Sequence, residues 1–447
     1  MNLQILNPWW KGKEFINEDK HLKELKDKKY IWKPELLKEI DLIPNNVYTL
    51  RGPRQIGKTT LIKLLIKSLL EKDIDEKSIF FWSCEELVDF KEVVETIREY
   101  LIFSKNYNVV EKYIFLDEVS KIKDWQRAIK SLIDSSELSD ACIFLTGSHS
   151  LDIKYRAELL PGRRGKYGKD FLLLPLTFRE YIKLLKPEVY EKLKTIKNIS
   201  INELNAAIKS ANLFKDELNI LFNQYLITGG FPLVINEFFD SGNIPDYVYE
   251  IYRKWVVGDM VKWDKSEKIL LQLMRGAIQK QSTPISWDSL AKGVEIKSHK
   301  TVSSYVEALE NMFVFVILYF LDLSKKIANY NKNKKIYFLD PFIFHSFNNA
   351  IFFKSNEILP SLIESVVVSH LNRKFQVFYW KNKREVDAII KINEKEVGVE
   401  IKYQNKISRD DMGGLYHFKD GIMITKDFLE IKKKYPCYPV YLFLAVI

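Results

Sequence analysis

The segment Gly52-Pro53-Arg54-Gln55-Ile56-Gly57-Lys58-Thr59-Thr60 constrains this chain more than any other stretch, because it fits the pattern G-x-x-x-x-G-K-[ST]. Asn46-Val47-Tyr48-Thr49-Leu50 before it reads as a strand, and Leu61-Ile62-Lys63-Leu64-Leu65-Ile66 after it reads as a helix. The glycines therefore fall on a strand-to-helix turn. Two glycines let the backbone wrap closely around phosphates with its N–H groups pointing inward, and the helix N-terminus adds a partial positive charge. Lys58 is placed to reach the β- and γ-phosphates, and the Thr59 hydroxyl to ligate Mg²⁺. The expectation is an ATP site formed by all nine residues.

Further along, Lys112-Tyr113-Ile114-Phe115-Leu116 is an apolar run that ends in Asp117-Glu118. A buried parallel strand reads as a continuous apolar run and delivers its last residues to the C-terminal edge of the sheet. There Asp117 would hold Mg²⁺ through water, and Glu118 would orient or deprotonate the attacking water. Ser139–Ser148 reads as a third strand with a polar end, on which Thr146 and Ser148 are candidates for sensing the γ-phosphate or the attacking water. Arg163 and Arg164 follow, and either can supply the extra cation that phosphoryl transfer gains from, in cis or from a neighbouring subunit.

At this point the chain resembles a prokaryotic AAA-type ATPase group. The ordered motifs are Asn7-Pro8-Trp9-Trp10, Leu50–Thr60, Ile114–Val119, Leu145–Ser148, Leu160–Arg163 and Leu174–Tyr181. Members of that group carry a P-loop domain, a winged helix and a C-terminal domain of unknown function resembling restriction-endonuclease folds. The resemblance implies ATP binding and hydrolysis. His149 departs from it, since small residues are more usual after Gly147-Ser148.

Residues 180–219 have helical spacing without chemistry-bearing residues, and Gly229-Gly230-Phe231-Pro232 breaks the pattern, with Pro232 suited to open a helix. Over 268–323 the spacing predicts a winged helix-turn-helix. Its helices would run Ile269–Ile278, Ile285–Ala291 with Ser286 as N-cap, and Ser298–Met312 with Val302, Tyr305, Val306 and Leu309 on one face. A strand pair, Phe313–Leu321 and Lys335–Leu339, would be the wing. The opposite face of the third helix offers Lys297, Lys300 and Ser303, which suit phosphate and base-edge contacts with DNA. Such modules also dock proteins, so a protein partner or a second copy of the chain stays open.

From Phe352 onward the pattern is α/β. A helix Leu362–Phe375 carries Glu364, and three strands follow, Gln376–Trp380, Arg384–Ile392 and Glu396–Tyr403. A two-residue turn at Asn393-Glu394 puts Asp387 opposite Glu400, and Lys402 on the same face. Facing carboxylates repel unless a cation or proton lies between them, and Mg²⁺ suits a few carboxylates plus water. This arrangement resembles the PD-(D/E)XK nucleases, with Val386 standing where their proline would be. The resemblance implies Mg²⁺ on Asp387 and Glu400, with Glu364 completing the shell and Lys402 assisting the attack. The competing reading is a salt-bridge ladder on a nuclease-like fold without activity.

The expected fold class is α/β, with an AAA-like P-loop domain and helical extension over 1–220. A helical and winged-helix section would occupy 221–345, and a restriction-endonuclease-like domain 350–447. The net charge of +10 is compatible with a polyanion partner. Three scattered cysteines and six scattered histidines give no disulfide framework or zinc spacing. No apolar run reaches membrane-span length and no leader pattern opens the chain, so the expected location is the cytoplasm. Beside an ATP-dependent DNA-processing protein, the sequence leaves open an ATP-driven switch or a signalling or toxin–antitoxin-like regulator.

Overall fold

The computed structural model describes residues 3–147, 165–196, 200–351, 358–392, 395–404 and 406–447. The chain forms two compact units, Met1–Leu174 and Pro175–Ile447.

The first unit is built on five parallel strands, β1 (Asn46–Arg51), β2 (Ile79–Ser83), β3 (Lys112–Asp117), β4 (Ala141–Gly147) and β5 (Asp170–Leu172), in the order β2-β3-β4-β1-β5. The longer helices among the described residues of this unit are α1 (Lys20–Lys26), α2 (Lys58–Glu71), α3 (Phe90–Asn106) and α4 (Trp125–Asp134). β4 is buried throughout and β3 nearly so, which explains their unbroken apolar sequences. β4 lies between β1 and β3, so the loop after β1 and the carboxylates after β3 open on the same sheet edge.

The motif Asn7-Pro8-Trp9-Trp10 seals the β2 edge. Asn7 Nδ2 donates to Phe81 O at 3.1 Å, while Asn7 Oδ1 accepts from Phe81 N at 2.7 Å. The indole N–H groups of Trp9 and Trp10 both donate to Ile79 O, at 3.0 and 2.9 Å. An edge strand with open backbone groups invites unwanted pairing, and this segment supplies the missing partners from side chains.

The second unit opens with α5 (Phe178–Leu185), whose start is fixed by a capping box between Thr177 and Glu180. Then come α6 (Ile201–Ala211), α7 (Lys215–Thr228), α8 (Pro232–Ser241) and α9 (Asp246–Lys262). The bend between α7 and α8 needs its glycines. Gly229 has φ +60°, and a Cβ on Gly230 would lie 2.2 Å from Leu176 O. The carboxylate of Asp340 pins the bend by accepting from Gly230 N and Phe342 N, each at 2.8 Å.

The winged helix comprises α10 (Glu267–Lys280), α11 (Trp287–Gly293), α12 (His299–Asn311), β6 (Phe315–Asp322) and β7 (Ile327–Phe338). Ser286 and Ser298 cap α11 and α12, accepting from Ser289 N and Lys300 N. Val302, Tyr305, Val306 and Leu309 form the buried face of α12, as the spacing predicts. β7 starts eight residues earlier than Lys335 because its first half, Ile327–Asn333, is polar and mostly exposed. An isolated bridge from Ile285 to Lys334 adds a third strand position to the wing.

The remaining elements are α13 (Pro341–Ile351), α14 (Ile358–Asn372), β8 (Gln376–Lys381), β9 (Glu385–Ile392), β10 (Lys395–Lys402), β11 (Asp420–Thr425), β12 (Cys437–Pro439) and α15 (Val440–Val446). β6 and β7 join them in one seven-stranded sheet, ordered β12-β11-β10-β9-β8-β6-β7. β9 and β10 pair as predicted, from Ile392 with Lys395 to Ala388 with Val399. The turn at 393–394 lies outside the described residues.

Within the second compact unit, packing runs across the expected divisions at 220 and at 345–350. The helices after Pro175 pack with the C-terminal end of the chain. Phe178 N donates to His370 Nε2 at 2.8 Å, and Tyr438 OH donates to Asn205 Oδ1 at 2.8 Å. α15 is buried on all sides, so it needs apolar cover that α6 and α7 supply. The base of the wing is likewise buried on both faces, and β8 covers its edge through Phe320 and Tyr379.

Among the described residues no single helix is long and apolar enough to cross a membrane.

Candidate functional site

The loop after β1 is shaped by two glycines. A Cβ on Gly52 would lie 2.1 Å from Leu173 O, and Gly57 enters α2 with φ +94°. Only glycine meets both demands without strain. Lys58 is buried inside the loop, donating to Gly52 O and Pro53 O at 3.1 Å each, and lies 3.7 Å from Glu118 Oε1. Thr59 Oγ1 donates to Asp117 Oδ2 at 2.6 Å. The first helical turn of α2 and the end of β3 thus meet at one point.

Asp117 is buried, which raises its pKa, while the hydroxyls of Thr146 and Thr59 oppose that rise. Glu118 follows in the left-handed region at φ +54°, uncommon for a glutamate. Its N–H donates to Thr146 Oγ1 at 3.1 Å, and Thr146 Oγ1 donates in turn to Asp117 Oδ1. Thr146, a candidate for sensing the γ-phosphate, is fully buried, and its hydroxyl holds the Asp117 carboxylate and the Glu118 backbone.

An open cavity of about 820 Å³ lies in front of these groups. Arg54, Gln55, Gly57, Lys58, Thr59, Thr60, Asp117 and Glu118 line it, while Gly52, Pro53 and Ile56 shape the loop from behind. The donor set at its floor is a hydroxyl and a carboxylate, both oxygen, which is what Mg²⁺ prefers. Arg163 and Ser148 lie outside the described residues.

Sequence reasoning missed the opposite wall of this cavity, which comes from the N-terminal segment through Pro8, Asp19, Lys20, His21 and Glu24. Asp19 caps α1 by accepting from His21 N at 3.0 Å and also pairs with buried Lys63 of α2 at 3.2 Å. The Lys63 ammonium sits 3.3 Å over the Phe81 ring. Burial lowers its pKa to about 8, against the raising effect of Asp19. An isolated lysine in an apolar helix pattern gave no hint of this pair.

In the second unit, Glu364 of α14, Asp387 of β9 and Glu400 of β10 are all buried and face one region. The expected Mg²⁺ between Asp387 and Glu400 requires correction. Lys335 of β7, wholly buried, places its ammonium 3.1 Å from Glu364 Oε1, 3.1 Å from Asp387 Oδ1 and 2.7 Å from Glu385 Oε1. Tyr337 OH donates to Glu364 Oε1 at 2.6 Å, and Ile401 N donates to Asp387 Oδ2 at 2.9 Å. Lys402 pairs with Glu400 Oε1 at 2.8 Å, leaving Glu400 Oε2 buried without a hydrogen-bond partner. These residues do not fit a divalent ion, because an ammonium already takes the oxygens such an ion would use. Among the described residues no group of three or more His, Cys, Asp or Glu is arranged to hold a metal.

The charges explain the titration directions. Burial pushes Glu364 up to about 7 and Glu400 up to about 8, with the Asp387 carboxylate adding to both. Burial acts the same way on Asp387, but the ammoniums of Lys335 and Lys402 outweigh it and hold its pKa below the ordinary value. Glu400 therefore keeps its proton near neutrality. A folded pKa above the unfolded one stabilises fully below the unfolded value and is lost as pH rises through the folded value. Wild type is expected to lose stability relative to Glu400→Gln as pH rises from the ordinary carboxyl pKa of 4.5 to about 8. Chemical denaturation of both proteins across that range checks this, and parallel curves would refute it.

The predicted DNA-facing residues lie together at the start of α12. Lys297 and Lys300 are exposed and Ser303 is half-buried. Nearby, Lys265 Nζ donates to Ser304 Oγ at 2.7 Å, which ties that face to the segment just before α10.

Residues 44–182 match the AAA domain family, residues 219–351 a domain of unknown function (DUF8612), and residues 361–439 another domain of unknown function (DUF4143). An uncharacterized protein of Methanocaldococcus jannaschii is 25% identical over 382 residues, covering 82% of this chain and 76% of that protein. Two similar solved structures come from Aeropyrum pernix. The ORC2 protein in ADPNP–ADP complexes has 13% identity and a TM-score of 0.36, covering 69% of this chain and 88% of that one. The ORC1 protein in complex with DNA has 14% identity and a TM-score of 0.32, covering 77% and 96%. At these values the likeness says nothing about this chain's ligands. The chain is thus similar to the AAA domain family over its P-loop region, and to two domains of unknown function over the segments that follow.

Proposed function

We propose that this chain is an ATP-hydrolysing P-loop protein whose nucleotide state governs DNA binding through its winged helix. The supporting observation is the joint placement of Thr59, Asp117 and Glu118 at the cavity beside Lys58, with Thr146 bonded behind them to the Asp117 carboxylate and the Glu118 N–H. Mg²⁺, held by Thr59 and through water by Asp117, would neutralise charge on the β- and γ-oxygens. Lys58 binds the same oxygens from the loop side. Glu118 accepts the proton of the attacking water, and Thr146 keeps Glu118 and Asp117 in register. Arg163 remains a proposal as the additional cation, in cis or from a second copy.

Exposed Lys297 and Lys300 and the excess of basic residues support the DNA partner. The test is duplex binding with and without ATP, across a salt series. Affinity is expected to change with nucleotide in wild type. Lys297→Ala with Lys300→Ala is expected to weaken binding across sequences and reduce the salt slope by roughly one per lost phosphate contact. Equal affinity in every nucleotide state would remove the switch, and co-purification of a protein partner without DNA binding would favour the regulator.

The competing reading is Mg²⁺-dependent scission at Glu364, Asp387, Glu400 and Lys402. Lys335 weighs against it, and the inert platform is the reading we adopt. Wild-type cutting of linear or branched DNA that vanishes in Asp387→Ala and Glu400→Ala would reverse this choice.

A further inference from the structure

We propose that the Lys335 ammonium is the resident cation of the C-terminal acidic cluster, standing in the place of a divalent ion and stapling the wing strand to the α/β sheet. An ammonium has three N–H donors and no acceptor. Here it has three carboxylate partners, Glu364, Asp387 and Glu385, on α14 and β9. The second oxygen of Glu385 is paired with Lys381 at 2.7 Å, and that of Asp387 accepts from Ile401 N. The cluster therefore has its positive charge built in, and the partner oxygens are already turned towards it.

The source of the lysine gives the arrangement its meaning. Lys335 follows Lys334, whose backbone exchanges hydrogen bonds with Ile285 in the wing. The strand that forms the wing thus carries its next residue into the cluster. A metal ion would tie only Glu364, Asp387 and Glu400 together. The lysine ties β7 to α14 and β9 without any dissociable component. Glu400 is left out of this set, and its unpaired Oε2 marks the side on which an ion would find a further ligand were the ammonium removed.

The inference concerns the second unit alone, so its failure leaves the ATP reading standing, and loss of the ATP reading leaves it untouched. The test is Mn²⁺ stoichiometry of the full-length protein without nucleotide, measured by the paramagnetic signal of free Mn²⁺. Any ion at the P-loop is common to all variants and cancels. In wild type, Asp387→Asn is expected to leave the count unchanged. Lys335→Ala is expected to gain one Mn²⁺ per chain, lost again when Glu400→Gln is added. A wild-type count that falls by one in Asp387→Asn overturns the proposal, as does a folded Lys335→Ala that binds no more Mn²⁺ than wild type. Should Lys335→Ala fail to fold, the comparison of wild type with Asp387→Asn still decides whether the native cluster holds an ion.

Discussion

Glu118→Gln is expected to bind ATP as wild type does and to hydrolyse it roughly 10²–10⁴ times more slowly, the range a positioned general base contributes. The amide keeps the size of the side chain. It also leaves intact the backbone turn at φ +54°, which the Glu118 N–H bond to Thr146 supports from inside the sheet. What is removed is the carboxylate that would receive the proton of the attacking water. Lys58→Ala is expected to act earlier, by losing nucleotide affinity, because the buried ammonium is the cation inside the loop that Gly52 and Pro53 form. Single-turnover hydrolysis together with nucleotide titration separates the two effects. Unchanged hydrolysis in both variants would mean that the cavity beside β3 is not where the chemistry occurs.

The candidate nucleotide site was legible because its geometry is local. The loop, the first turn of α2 and the carboxylates after β3 each follow directly from a strand that reads as apolar and ends in the functional residues. The wall from the N-terminal segment was not, because Asp19 and Lys63 are distant in sequence and each looks like an ordinary solvated charge. Thr146 was recognised as part of the site, but its bonds to Asp117 and to the Glu118 N–H were not, since a strand's end shows which edge it reaches and not which neighbours its hydroxyl bonds.

The C-terminal site divides along the same line. Alternation along β9 and β10 was enough to bring Asp387 and Glu400 onto one face, and the ladder follows that register as far as Ala388 and Val399. The identity of the cation between the carboxylates was beyond such reasoning. Lys335 closes the run Asn-Lys-Asn-Lys-Lys, which reads as the solvated arm of a wing, and nothing in that run separates one lysine from the next. The only sign was period two: Lys335 and Tyr337 share a face, and both belong to the buried half of β7.

Lys335→Met carries the largest expected loss of stability in the chain. Methionine keeps the length of the stem and removes the charge, so the packing cost is small. What remains is a set of buried carboxylates, Glu364 and Asp387, without their cation. Breaking a buried pair by removing one partner costs about 3–5 kcal/mol, because the other charge is left desolvated. The loss has a sign in pH. Without Lys335, the largest charge opposing burial at Asp387 is gone, although Lys402 and the Ile401 N–H remain, so the folded-state pKa values of Asp387 and Glu364 both rise. The variant should therefore lie closest to wild type in acid and fall furthest behind it above neutrality. Adding Glu364→Gln and Asp387→Asn to Lys335→Met removes the stranded charges and is expected to recover much of the loss. A double-mutant cycle by chemical denaturation measures each step. A loss below about 1 kcal/mol for Lys335→Met at pH 8 would place the ammonium among weakly coupled surface pairs, contrary to its complete burial and its three carboxylate partners.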